Sequence, residues 1–220
     1  MATSTKERIL DVAERLFADF GYKTTSLRDI TSEAGVNLAS VNYHFGSKEA
    51  LLTALLERRF AVVNQRRIER LDRIEANAGQ DGVELEEIVR SLLAPPFELQ
   101  SEWGVSGQKF LRLVGRIHSE TDKIREVFIS LFGPVMSRFQ TAFEKALPQV
   151  DTDEVGRRTH FLVGAMAHTM MWCDSFTIHG QHPCDHDEIL ESLVQFGAAG
   201  MATPSRDPIL VPAGMRKGPR

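Results

Sequence analysis

The chain has 220 residues, 42% of them hydrophobic and 25% charged, which excludes both a disordered segment and a membrane protein. No apolar run approaches the roughly 18 residues a spanning helix needs, so no membrane partner is expected, and two cysteines, Cys173 and Cys184, are too few for a disulfide framework. The formal net charge is −4 and the segment up to Phe60 is balanced in sign, so any nucleic-acid contact must rest on where charges fall rather than on their sum.

The opening MATSTKERIL lacks the apolar core of a signal peptide, and the cytoplasm is the expected compartment. Ile9, Ala13, Leu16, Phe17 and Phe20 recur at spacings of three and four and predict a helix over 4–20, stopped by Gly21. Thr24-Thr25-Ser26 caps a short helix with Leu27, Ile30 and Ala34 on its inner face, and Gly35 ends it. Asn37 opens another short helix to about Phe45, expected to bury Leu38, Val41 and Phe45. After Gly46-Ser47 a long helix reaches about Ala76. Beyond Leu55 it turns strongly charged, as in RRIERLDRIEAN, and its far half is expected to be a solvated connector.

A loop follows over 77–82, then helices at about 84–94, 106–120, 122–146, 153–178 and 186–201. Pro95-Pro96 and Pro148 are expected to mark breaks, and Pro134 to kink the segment containing it. No alternating run makes a strand convincing, so the fold class is all-α. From Thr203 onward prolines, glycines and the basic Arg216, Lys217 and Arg220 predict a mobile tail, although a basic tail could also touch DNA. The expected organisation is a three-helix domain over 1–50, a larger helical domain over 51–202 and a tail over 203–220.

The informative stretch is TTSLRDITSEAGVNLASVNYHFGSKEALL, from Thr24 to Leu52. A helix, a glycine turn and a second helix of about two turns make a helix-turn-helix, whose second helix fits the major groove of double-stranded DNA. Its exposed face should carry Ala39, Ser40, Asn42 and Tyr43, with His44 beside them and Lys48 at the N-terminus of the next helix, where free N–H groups favour a phosphate. Tyr43 and Phe45 could instead be core aromatics, and His44 could merely satisfy a helix end.

This segment resembles the TetR/AcrR family of bacterial regulators. The resemblance lies in Thr24-Thr25, Arg28-Asp29-Ile30, Ala34-Gly35-Val36, Tyr43-His44-Phe45 and Ser47-Lys48-Glu49-Ala50-Leu51-Leu52, in that order and spacing. It implies phosphate contacts from Thr25, Tyr43, His44 and Lys48, and base contacts from the Ala39, Ser40 and Asn42 face. Asn42 stands where many members carry an aromatic, and its amide suits a bidentate pair with adenine. The resemblance also implies a homodimer, formed by the last two helices, on a palindromic operator. Small Gly164, Ala165 and Ala167 and apolar Phe161, Leu162, Met166, Leu190, Leu193, Val194 and Phe196 suit that role, as they would any buried helix pair.

A sensing pocket for a hydrophobic small molecule is expected among the central helices. Candidates are Phe110, Leu113, Val114, Ile117, Phe132, Met136, Met166 and Met170, with Phe97, Trp103, Phe128, Phe139 and Trp172 behind them. Arg112 and Arg116, with His118, could pair with an anionic head group or bridge to Glu120 and Asp122 on the surface. FLRLVGRIHSE, HFLVGAMAHTM and FGAAGM resemble the PsrA-like repressors that respond to long-chain fatty acids or acyl-CoA, which implies such an effector and no cofactor.

Two rival readings remain at this point. Cys173, Asp174, His179, His182, Cys184, Asp185, His186 and Asp187 are dense in metal-ligand types, but their spacing matches no standard finger. A metal-responsive regulator would use that cluster, and an acyl carrier without DNA binding would keep only the C-terminal pocket. No GxSxG, HExxH, Walker loop or dinucleotide fingerprint occurs, so no enzyme is expected.

Overall fold

A computed structural model describes residues 4–204 apart from 81, 105, 108, 111–112, 115–121 and 173–184. Among the described residues the chain forms eight named helices and no strand, so the architecture is all-α.

The N-terminal three are short, and their ends are written in the sequence. Helix α1 (Thr5–Phe20) begins where Ser4 Oγ accepts from the Glu7 N–H at 3.1 Å and ends at Gly21, whose φ of 94° lets the chain turn. Helix α2 (Leu27–Ala34) opens on a reciprocal capping box: the Asp29 N–H donates to Ser26 Oγ, and the Ser26 N–H donates to Asp29 Oδ2 at 2.8 Å. Helix α3 (Leu38–His44) starts at Asn37, whose Oδ1 accepts from the Ser40 N–H at 2.8 Å. Ile9, Ala13, Phe17, Ile30 and Val41 are at most 1% exposed and form the centre of this bundle.

Two apolar residues leave that pattern. Phe20 is 63% exposed because it is the last residue of α1, past the surface that α2 covers. Leu38 is 42% exposed: side chains lean toward a helix N-terminus, so the first residue of a two-turn helix projects beyond the core that Val41 enters.

Helix α4 (Lys48–Asn77) is 30 residues, about 45 Å, long. The expectation of a solvated connector in its far half is corrected. Leu51, Leu52, Leu55 and Leu56 pack with the N-terminal bundle, and the same stripe continues through Phe60, Val63, Arg67 and Leu71, all buried. The cluster around α1–α3 therefore extends along α4 to Phe60 and takes in Phe110 and Leu113. The second cluster begins at Leu71.

Helix α5 (Leu85–Trp103) runs through Pro95 and Pro96, which the sequence had suggested as a break. Pro96 has no N–H to offer the Leu92 carbonyl one turn back. Arg67 supplies the donor instead, its Nε 2.8 Å from Leu92 O, and the helix continues. Residues 106–107, 109–110 and 113–114 are helical, and α6 (Asp122–Ala146), α7 (Thr152–Trp172) and α8 (His186–Ala202) complete the bundle.

Among the close contacts of α8, a Cβ at Gly197 would lie 2.5 Å from Leu162 Cδ2 of α7 and 3.2 Å from Val89 Cγ1 of α5, so this glycine sets the helix spacing. Gly164, expected to serve close approach, has nothing within 4 Å of its Cβ position. Polar clamps tie the pieces together. Glu14 of α1, 4% exposed, receives Arg58 Nη2 at 3.0 Å and Arg59 Nε at 2.9 Å, both from α4, and Ser106 Oγ at 3.1 Å.

Candidate functional site

The exposed side of α3 carries Ala39, Asn42 and Tyr43, spaced so that one helical face presents all three, and Tyr43 is 85% exposed. Ser40 and His44 are half-buried beside them. Ser40 Oγ donates to Asn37 Oδ1 at 3.0 Å, and the His44 and Tyr43 rings meet edge-on at 5.1 Å. Phe45 is half-buried against the bundle. Fully buried Val41 pins the helix from behind, so the core fixes the direction in which the outward residues point.

Lys48, the first residue of α4, places Nζ 4.4 Å from the Tyr22 ring centre and 3.5 Å from Lys23 O. Asp29 stands on α2, its carboxyl held below the ordinary range chiefly by the Ser26 backbone and hydroxyl hydrogen bonds, with the Lys48 charge adding to this. Thr25, expected to contact a phosphate, is corrected. It is 4% exposed, and its hydroxyl lies 2.9 Å from Gly21 O and 3.2 Å from Leu16 O, bracing the turn between α1 and α2. Lys23, Thr24 and Arg28 are exposed around it, and their polar character in a polar stretch gave no separate signal in the sequence.

A second candidate site lies between α4, α6 and α7. It is a cavity of about 480 Å³, a size typical of small-molecule sites. Of the residues expected to form a pocket, Val114, Phe128, Phe132, Met136, Met166 and Met170 line it. Phe110 and Leu113 do not: they are 3% and 0% exposed and pack in the N-terminal cluster, Phe110 edge-on to Phe60 at 5.2 Å. Phe97 and Phe139 are ordinary core, and Trp103 stacks beneath the Arg59 guanidinium at 4.4 Å. Arg112, Arg116, Ile117 and His118 lie outside the described residues, as do Cys173 to Cys184 of the possible metal cluster. Among the described residues, no three His, Cys, Asp or Glu gather as metal ligands would.

The wall also holds Arg67, Gln140, Thr159 and His160, none of them among the expected pocket residues. Arg67 is 1% exposed. Burial lowers its pKa to about 10, which still leaves it cationic near neutral pH. A signal for it was present: Phe60, Val63, Arg67 and Leu71 share one helical stripe, and an arginine on a core stripe is rarely a solvated one.

A family model described as "Bacterial regulatory proteins, tetR family" matches residues 9–55, and one described as "Tetracyclin repressor-like, C-terminal domain" matches residues 90–200, half of the chain. The chain belongs to the TetR family of transcriptional regulators. Its helix-turn-helix, α2 and α3, is the DNA-binding element of that family.

Curated TetR-family relatives match over this element. The chain is 44% identical over 52 residues to the uncharacterized HTH-type transcriptional regulator YerO of Bacillus subtilis, covering 24% of this chain and 18% of that protein. It is 39% identical over 51 residues to the HTH-type transcriptional repressor KstR2 of Rhodococcus jostii, covering 23% and 25%. The matched stretch thus spans a quarter or less of either relative. Over nearly the whole chain the fold resembles the fatty acid degradation regulator FadR of Bacillus halodurans, with a TM-score of 0.69, 15% identity and coverage of 91% of this chain and 97% of that one. At that identity the likeness establishes the fold.

Proposed function

We propose that this TetR-family chain is a ligand-released repressor that binds a palindromic operator as a homodimer and is discharged by a hydrophobic effector, a long-chain fatty acid or its acyl-CoA. The observation that carries the reading is that one helix serves both sites. Helix α4 begins at Lys48, directly after the helix-turn-helix, and contributes Phe60, Val63 and Arg67 to the wall of the apolar cavity. A ligand that fits one setting of α4 better than another shifts the separation of two reading heads, and its leverage equals its difference in affinity for the two.

Residues 1–50 read DNA in this scheme, 51–202 sense and pair, and 203–220 form a tail. Ala39, Ser40 and Asn42 take the base edges, and Tyr43, His44 and Lys48 take phosphates. Pairing through α7 and α8 is supported by Phe161 and Phe196, 66% and 69% exposed, beside the open glycines Gly164 and Gly200. The role of the B. halodurans regulator, in fatty acid degradation, supports an acyl effector. Among the described residues no helix is long and apolar enough to cross a membrane, and the cytoplasm, where the operator is, is the proposed compartment.

A genomic binding-site selection with purified protein, repeated with palmitoyl-CoA and with palmitate, tests the reading. A palindromic motif that loses occupancy with either acyl compound is the expected result. A motif indifferent to both removes the acyl effector, and no enriched motif at moderate salt removes the repressor.

A further inference from the structure

The cavity contains one feature that an apolar ligand alone does not explain. Arg67 is a buried cation on its wall, and among the described residues no aspartate or glutamate lines the cavity or forms an ion pair with it. A guanidinium carries five N–H donors. Nε is spent on Leu92 O at 2.8 Å and Nη1 donates to Asn64 Oδ1 at 3.1 Å. Nη2 faces the thioether of Met166 at 3.5 Å, a weak acceptor on a flexible side chain, and the Phe132 ring lies 5.8 Å away. Two strong donors and a full positive charge are left on a wall that is mostly apolar, which is costly unless an anion arrives.

The other polar groups of the wall cannot do the same work. Both amide hydrogens of Gln140 are taken, by Glu144 Oε1 at 2.8 Å and Thr152 O at 3.0 Å. The Thr159 hydroxyl donates to Val155 O at 2.9 Å, and His160 is at the exposed rim.

We infer that the cavity takes an amphiphile whose head group is a free carboxylate, seated on Arg67 with its chain along Phe128, Phe132, Met136 and Met170. This rests on the reading of the cavity as the effector site and narrows it. A carboxylate meets the spare edge of the guanidinium with charge and two acceptor oxygens. The carbonyl of a thioester or the hydroxyl of an alcohol offers neither the charge nor the fork. Arg67 therefore selects the free acid over its acyl-CoA.

Calorimetric titration of the full chain with decanoate, decanol and decanoyl-CoA, at a pH above 7 and below micelle-forming concentrations, reads the preference directly. Wild-type protein should bind decanoate roughly ten- to hundred-fold more tightly than decanol, the difference a charge-assisted pair supplies, and more tightly than decanoyl-CoA. In Arg67→Met the preference for the acid should vanish while decanol still binds, and Arg67→Lys should keep part of it.

A purely structural Arg67, needed only for the Leu92 carbonyl, would weaken all three ligands alike or none. Equal binding of acid and alcohol by the wild type, tighter binding of decanoyl-CoA, or an acid preference that survives in Arg67→Met each overturns the assignment and leaves the cavity as an effector site. Binding of none of the three overturns that reading as well. The wild-type comparison needs no variant, so a poorly folding Arg67→Met does not shelter the idea.

Discussion

Replacing Glu14 by Gln tests whether the reading bundle is fastened to α4 by charge as well as by apolar packing. The side chain is 4% exposed and receives Arg59 through Nε at 2.9 Å and Nη2 at 2.5 Å, Arg58 through Nη2 at 3.0 Å and Ser106 through its hydroxyl. Glutamine keeps the volume and one acceptor oxygen but leaves Arg59, itself largely buried, without a counter-charge. Arg58 loses less, because Glu7 and Asp11 each remain 2.8 Å away. Breaking one side of a buried pair costs about 3–5 kcal/mol. Stacking of Arg59 on Trp103 and the surviving Arg58 pairs place the expected loss at the low end, about 3 kcal/mol, or roughly 6–12 °C in melting temperature for a chain of this size. Glu7→Gln, at a half-exposed site, should cost under about 1 kcal/mol. Urea unfolding followed by circular dichroism gives both values. A Glu14→Gln loss no larger than that of Glu7→Gln would refute the argument and reduce the cluster to surface pairs.

Three further outcomes follow from the geometry. Asp29 has its carboxyl held low by Ser26, so its contribution is present above the ordinary value of 3.8 and is lost as the pH falls below it. The stability gap between wild type and Asp29→Ala should therefore be constant near neutrality and close in acid, and a gap unchanged at pH 2 would contradict the capping box. Gly107→Ala should destabilise the chain by about 1–3 kcal/mol, because its Cβ would lie 2.7 Å from the Gln100 backbone oxygen. Thermal melts that match wild type would show that α5 yields there at no cost. Asn42→Ala, at an exposed position, should leave stability within about 0.5 kcal/mol yet relax base preference at one operator position by about 1–3 kcal/mol. An unaltered motif in a binding-site selection would remove Asn42 from base recognition.

The reading bundle was legible because its local signals agree: Ser4, Ser26 and Asn37 are caps, Gly21 and Gly35 are stops, and Ile9, Ile30 and Val41 fall on the inner faces. Where expectation failed, a tertiary partner outweighed a local rule. Pro95-Pro96 reads as a break until Arg67, far away in sequence, supplies the donor that Pro96 lacks. RRIERLDRIEAN reads as solvent-facing by composition, yet two of its residues, Arg67 and Leu71, lie on the buried stripe while Arg66 and Arg70 pair outward with Glu102 and Glu98. Thr25 carries a residue type suited to either a phosphate or a backbone clasp, and only the three-dimensional position of Leu16 O separates the two. The cavity was half legible: its methionines and Phe132 stand out as adaptable apolar residues, but which aromatics face a void and which fill a core depends on helix rotation. Phe110 and Leu113 fell on the filled side.

The unbroken stripe along α4 has a consequence for how the molecule comes apart. Leu51 to Phe60 belong to one cluster and Leu71 to the other, while Phe132, packed on the first, meets the Arg67 guanidinium between them. Melting either end strips α4 of half the packing that keeps it helical, and a lone helix has little stability of its own. The reading bundle is therefore not an autonomous folding unit hung on a stalk: the described chain should lose its structure in one cooperative transition.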